Sequence, residues 1–384
     1  MAVRDRLLIM LPGPTNVPDR VMRAMIKPII GHRTEAFHKL YEEIREKLKY
    51  VFQTEGDVYA LTCSGTGGVY CSISNTIKPG DKVLVPDYGF FTNRVREKVV
   101  ERGGKLIDPK LEWGSAPTKA LIEEIFEKEK IDVVIIVHNE TSTGVKVVDL
   151  PEICRVAKEH GALTIVDAVS ILGGDELPVD KWNIDICVTG SQKCLACPPG
   201  LALISVSEDA WKAIKRVENR PYYFDLLRVK SYYDEKREHP FTPALPIMFA
   251  LNEALQIIVE EGLEKRFERH KRCAKAFYSA FEAMGMSFIP KPEFRSNTVV
   301  AVKKPDEVND IEVRSKLEKD YGVLVAGGLG EFKGKAFRVG CMGAISEFEV
   351  IATISAFESA LLDVGYEIEL GVGVKAARKS LKIS

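Results

Sequence analysis

The run IDVVIIVH, Ile131 to His138, decides the fold class. Its five central residues are apolar and β-branched without interruption, the pattern of a strand buried on both faces. Such a strand needs cover above and below, and its flanks supply it. ALIEEIFEKEK (Ala120–Lys130) precedes it with helical spacing, and LPEICRVAKEHG (Leu150–Gly161) follows and leads into a second apolar run, ALTIVDA (Ala162–Ala168). Helices placed between strands of this kind imply parallel pairing. The alternation extends outward in both directions. DVYALT leads into CSGTGGVYCSISNTI, KVLVPD leads into YGFFTNRVREKVVERGG, and IDICVTG is followed by PPGLALISV. From about Val58 to Val206 the chain therefore reads as an α/β doubly wound unit with a mostly parallel sheet.

The pattern changes after Trp211. A tyrosine-rich charged stretch, RPYYFDLLRVKSYYDEKREHPFTPALP, leads to one long helical run from Ile247 to Gly285. Strand and helix candidates then intermix, which points to a smaller C-terminal α+β domain behind a linking helix. A chain of 384 residues suits two such units. The expected division is an N-terminal arm over residues 1–17, a large domain over 18–262 and a small domain over 263–384.

Composition narrows the function. Hydrophobic residues at 46%, charged residues at 28% and a net charge of −1 give no electrostatic basis for binding nucleic acid or an anionic membrane. No apolar run approaches the ~20 residues that span a bilayer, and MAVRDRLLIMLPGP lacks the pattern of a secretory signal. The eight cysteines are scattered. Cys194 and Cys197 form a CxxC with neither a second CxxC nor a His pair, so no metal site is expected there. Reduced thiols in a cytoplasmic protein are the expectation.

In open α/β sheets, ligands bind beyond the carboxyl ends of the strands. The first strand delivers Ser64-Gly65-Thr66-Gly67-Gly68 at the start of a helix, either a plain glycine-rich turn or a phosphate cradle of free N–H groups. The next ends at Asp87 and is followed by Phe90 and Phe91, which suit core packing or a stacking platform. IDVVIIV runs into the polar stretch HNETSTG (His138–Gly144). ALTIV ends on Asp167, a carboxylate that is costly to bury without a partner. IDICVTG ends just before Lys193 in SQKCLACPPG. A turn lysine is ordinarily solvated. An acid, a lysine, a phosphate cradle and a ring at one sheet edge nevertheless make the set that pyridoxal phosphate requires.

PGPTNVPDRVMRAM, GHR, CSGTGG, YGFFTNR, HNETSTG, VDAVSILGG, TGSQKCLACPPG, FTPALP and FRVGCMG follow in order from Pro12 to Gly343. In these stretches the chain resembles the class V aminotransferases of fold-type I pyridoxal-phosphate enzymes, in particular the serine–pyruvate / alanine–glyoxylate family. The resemblance implies that Lys193 carries the cofactor and shuttles a proton, and that Asp167 keeps the ring nitrogen protonated. It further implies that Ser64, Gly65, Thr66 and Gln192 contact the phosphate, Thr141 the ring hydroxyl and Val169 one ring face. Arg338 matches the arginine that grips the substrate carboxylate, with Gly13 and Thr141 beside the substrate. Thr242 matches a phosphate contact donated across a homodimer with composite sites. Phe91 stands where many relatives stack a tryptophan, and His239 where a tyrosine often makes a second cross-subunit contact. The implied reaction is transamination of serine or alanine with pyruvate or glyoxylate. Alternatives are 2-aminoethylphosphonate or ureidoglycine as amine donor, a cysteine desulfurase using Cys341, or a non-catalytic scaffold.

Overall fold

The computed structural model describes residues 7–381; residues 1–6, the beginning of the expected arm, and 382–384 lie outside the described part. The strand candidates of the first half assemble into one seven-stranded sheet. Its strands are β1 (Asp57–Thr62), β2 (Lys82–Leu84), β3 (Lys105–Ile107), β4 (Val133–Val137), β5 (Leu163–Asp167), β6 (Ile186–Gly190) and β7 (Leu201–Val206). The spatial order is β1-β7-β6-β5-β4-β2-β3. Only β7 runs against its neighbours, pairing antiparallel with both β1 and β6, while the remaining pairs are parallel. β4 is buried along its whole length, as its β-branched run requires. Helices α1 (Gly65–Thr76) and α2 (Phe90–Glu101) follow β1 and β2, and their N-termini open at the carboxyl edge of the sheet.

The long helical run breaks in two, contrary to expectation. Gly262 adopts φ +80°, a left-handed conformation that glycine reaches without a Cβ penalty. It separates α3 (Leu245–Glu261) from α4 (Leu263–Ala283). The hydrophobic core divides along α4: Leu263 packs with the large sheet, whereas Cys273 and the residues after it pack with the second core. That second core surrounds a three-stranded antiparallel sheet of β8 (Val299–Lys303), β9 (Ala326–Gly327) and β10 (Ala336–Gly340), with β10 in the middle.

The N-terminal segment belongs to both halves. Leu8–Ile9 pairs parallel with Val323–Leu324, Met10 enters the second core, and the Gly340 N–H donates to the Met10 carbonyl at 2.7 Å. Five residues later the chain reaches the large domain, where the Thr15 N–H donates to the Gln192 carbonyl at 3.2 Å. Among the described residues no helix is long and apolar enough to cross a membrane.

Gly340 is a close-approach position, because a Cβ there would overlap the Leu11 carbonyl. Gly340→Ala should destabilise the protein by about 1–3 kcal/mol, the usual cost of overpacking. The check is thermal unfolding beside the unsubstituted chain; an unchanged melting temperature would mean that the segment does not depend on this contact.

Candidate active site

One cavity of about 220 Å³ opens at the carboxyl edge of the large sheet, where β1, β2, β4, β5 and β6 all end. Ser64, Gly65 and Thr66 line one side of it. The Ser64 hydroxyl caps α1 by accepting from the Gly67 N–H at 3.3 Å, while the N–H groups of Gly65 and Thr66 lie in the first turn, beyond intrahelical acceptors. A Cβ on Gly65 would press on Val169 at 3.0 Å, so glycine permits the helix to start this close to β5.

Phe91 and Val169 contribute apolar surface to the cavity. Phe91 is held by Glu140, which is wholly buried in the polar stretch after β4. One Glu140 oxygen accepts the N–H groups of Phe91 and Thr92, each at 3.0 Å, and the other accepts from Ser142 N–H and hydroxyl. Burial pushes this carboxyl above its ordinary range and those donors pull it back. Thr141 also lines the cavity, and its hydroxyl donates to Ser170 at 2.8 Å.

Asp167 is half-buried in the cavity wall. It is the last residue of β5, with Val137 and Val188 in register on either side. Its Oδ1 accepts from the Val169 N–H at 3.0 Å, a local turn and not a helix cap. Burial raises its pKa, opposed by the Val169 N–H, Lys98 and Lys193.

Lys193 reaches into the same cavity and donates its ammonium to the Pro12 carbonyl. Gly13, at φ +85°, lies directly against it: a Cβ there would stand 2.7 Å from Nζ. Burial lowers the Lys193 pKa to about 8; the Arg338 charge acts in the same direction and Asp167 opposes it. Gln192 completes the wall, and its Oε1 is buried without a partner, as is Asn139 Oδ1 on the facing side. Orphaned buried polar atoms call for an explanation, and a bound polar ligand supplies one. The cavity thus suits a flat, phosphorylated ligand such as pyridoxal phosphate. Helix N–H groups would meet the phosphate, Phe91 and Val169 the ring, Asp167 the ring nitrogen and Lys193 the aldehyde.

Arg338 stands beside this cavity on β10, the middle strand of the small domain. Its Nε donates to the Gly327 carbonyl at 2.8 Å and Nη1 to the Thr141 carbonyl at 3.2 Å. Among the described residues it forms no ion pair with a carboxylate within 4.0 Å, although Glu140 exerts a longer-range pull. Burial lowers its pKa to about 10, so it stays charged at neutral pH with donors to spare.

Two expected residues lie elsewhere in the protomer. His239 is fully buried beneath β1, its Nε2–H donating to the Ala60 carbonyl at 2.6 Å and its ring against Tyr41. Burial lowers it to about 4, so it is neutral and does not line the cavity. Thr242 is exposed, in a loop where Phe241 stacks on Tyr223 at 4.9 Å. Cys341 is buried, with its Sγ–H directed at the His270 carbonyl at 3.6 Å, and burial raises its pKa. It is not the mobile thiol that desulfuration needs. Cys194 directs its thiol to the Ser170 carbonyl; burial raises it to about 12 and raises Cys197 too, so neither is a thiolate at neutral pH. Arg94, Lys98, Asn139 and Ser170 also line the cavity but were not singled out from the sequence. The signal for two of them was present: Phe91, Arg94, Val95 and Lys98 have the i, i+3, i+4, i+7 spacing of one helix face.

Comparison with known proteins bears directly on this arrangement. The family model "Aminotransferase class-V" matches residues 10–331. An uncharacterized aminotransferase of Methanocaldococcus jannaschii is 47% identical over 376 residues, covering 97% of each chain. Serine–glyoxylate aminotransferase of Methylorubrum extorquens is 35% identical, covering 97% of this chain and 96% of its own. Among solved structures, ureidoglycine–glyoxylate aminotransferase of Bacillus subtilis superposes with a TM-score of 0.93 at 32% identity, over the full length of both chains.

The depressed Lys193 pKa has a measurable consequence in ligand-free protein. Between about 8 and the ordinary 10.5, folded Lys193 holds fewer protons than unfolded Lys193. It should therefore become reactive toward acylating reagents with a midpoint near pH 8, while surface lysines respond only at higher pH. Folding stability should also rise with pH across that window. Asp167→Asn removes an opposing charge and should move the midpoint lower. Peptide mass mapping after pulsed acetylation measures both; a Lys193 midpoint near 10.5 would contradict the burial argument.

Proposed function

The chain belongs to the class V aminotransferases, and on that premise we propose that it transfers the amino group of serine or alanine to glyoxylate or pyruvate. The observation that carries this reading is the convergence of Lys193 and Asp167 in one cavity, with the Arg338 fork beside it. The two named relatives reported above, the serine enzyme and the ureidoglycine enzyme, both use glyoxylate, which supports it as acceptor.

Bound pyridoxal phosphate supplies an electron sink for charge developing at the substrate Cα. The chain's own groups do the rest. Ser64, the N–H groups of Gly65 and Thr66, and Gln192 would anchor the phosphate. Phe91 and Val169 would confine the ring, Thr141 would meet its hydroxyl, and Asp167 would hold a proton on its nitrogen. Lys193 would hold the cofactor through its amine and, as a free amine, would move the substrate Cα proton; a pKa near 8 suits an amine that must serve as base and then acid. Arg338 orients the substrate carboxylate through a planar fork that lysine could not reproduce. A guanidinium fork also pairs with a phosphonate, so 2-aminoethylphosphonate stays a competing donor. Ureidoglycine carries a carboxylate and is the other competing donor, favoured by the full-length match to the Bacillus enzyme.

We further propose a homodimer in the cytoplasm. Tyr222 is 68% exposed and Tyr223 43% exposed, near the exposed Thr242, and the neighbouring Phe224 lies against Gly67 of the glycine-rich turn. This aromatic surface suits burial against a second copy that would bring Thr242 to the partner's phosphate site. Eight free thiols accord with a reducing compartment.

Initial rates with serine, alanine and ureidoglycine against glyoxylate and pyruvate test the substrate assignment; ureidoglycine as the best donor would replace it. Arg338→Lys should lower kcat/KM for every α-amino acid about ten- to a hundredfold, on the scale of a lost charge-assisted contact, with little change in melting temperature. A structural arginine would behave oppositely. For the dimer, mixed Lys193→Ala and Thr242→Ala protomers should regain activity through one intact composite site, whereas no recovery after subunit exchange would refute the cross-subunit contact.

A further inference from the structure

Asp167 is half-buried in the wall of the cavity, and Val169 N–H is its one protein hydrogen-bond donor among the described residues. A carboxylate withdrawn from solvent with a single neutral donor is stabilised by a nearby cation. Two amines share its cavity. Lys193 is held by the Pro12 carbonyl and, by the reading above, is consumed by bonding to the cofactor. Lys98 is the other. It lies two turns along α2 from Phe91, on the helix face that lines the cavity, with Nζ donating to the Arg94 carbonyl at 2.7 Å. No carboxylate contacts it within 4.0 Å among the described residues.

We infer that Lys98 is a positioning residue for the ring-nitrogen end of the cofactor: its ammonium balances Asp167 in the cofactor-free protein and competes with the ring N–H for that carboxylate on binding. The electrostatics agree. Lys98 counters Asp167 ahead of Lys193, and Asp167 in turn opposes the lowering of Lys98 by burial, while Arg94 repels it and Glu97 and Glu101 attract it. A carboxylate already balanced attracts the protonated ring nitrogen less strongly, so Lys98 trades cofactor affinity for stability of the empty site. This rests on the cofactor reading above.

The experiment is equilibrium binding of pyridoxal phosphate and of its 1-deaza analogue, which has no ring nitrogen, to cofactor-free unsubstituted protein, Lys98→Met and Lys98→Arg. Lys98→Met should bind pyridoxal phosphate about two- to fivefold more tightly, the scale of a partly exposed charge–charge interaction, and bind the deaza analogue unchanged. Its melting temperature should fall when empty and recover when loaded, and Lys98→Arg should match the unsubstituted protein. Unchanged or weaker binding of pyridoxal phosphate, or an equal gain for both compounds, overturns the inference. If Lys98→Met does not fold, Lys98→Gln carries the same expectations. Failure of the unsubstituted protein to take up pyridoxal phosphate would overturn the cofactor reading and this inference together, whereas uptake without a ring-nitrogen-dependent gain overturns this inference alone.

Discussion

The structure depends on a carboxylate that would be unfavourable alone. Asp167 ends a strand whose interior is apolar, between two other apolar strands, so its charge has to be met from outside the sheet. The carboxyl edge is where that can happen, because helices and loops converge there. Lys193, Lys98 and the N-terminus of α1 all face the cavity that Asp167 lines. The same burial that raises Asp167 lowers Lys193, and each opposes the shift of the other. An acid and an amine displaced in opposite directions within one cavity are suited to exchanging protons near neutral pH.

Holding Lys193 requires support from the second domain. Arg266 on α4 is buried and donates to the Gly173 carbonyl, at the end of the segment after β5, and to the Cys194 carbonyl, one residue beyond Lys193. Its Nη1 donates to Glu261 at 2.7 Å, which balances the buried charge. His270, one turn on, accepts from the Gly343 N–H, and Arg269 reaches the Gly343 carbonyl. From the opposite side the Thr15 hydroxyl donates to the Lys193 carbonyl at 3.3 Å. The loop carrying the lysine is therefore clamped between the N-terminal segment and α4. Both elements also lead to β10, so the positions of Lys193 and Arg338 are linked through backbone contacts.

Much of this was legible in the residues. The β-branched run of β4, the helices around it and the polar residues at successive strand ends follow from periodicity and burial. The family motifs pointed to Ser64, Gly65, Thr66, Phe91, Thr141, Asp167, Val169, Gln192 and Lys193, all of which line one cavity. The interruption at Gly262 was not legible, because a glycine inside a helical pattern is usually tolerated and only the packing of two cores requires the turn.

The sequence by itself determined what depends on neighbours along the chain: strand and helix type, the glycine-rich turn, and the chemistry available at each strand end. Tertiary structure alone decided what depends on distance and solvent. It placed Gly13 against Lys193 across the whole first domain and left Arg338 with backbone carbonyls in place of a carboxylate partner. It buried His239 and Cys341 and brought Lys98 to the cavity that Asp167 lines. Burial and Coulomb interaction are set by the surroundings in space, and those surroundings come from segments far apart in the chain.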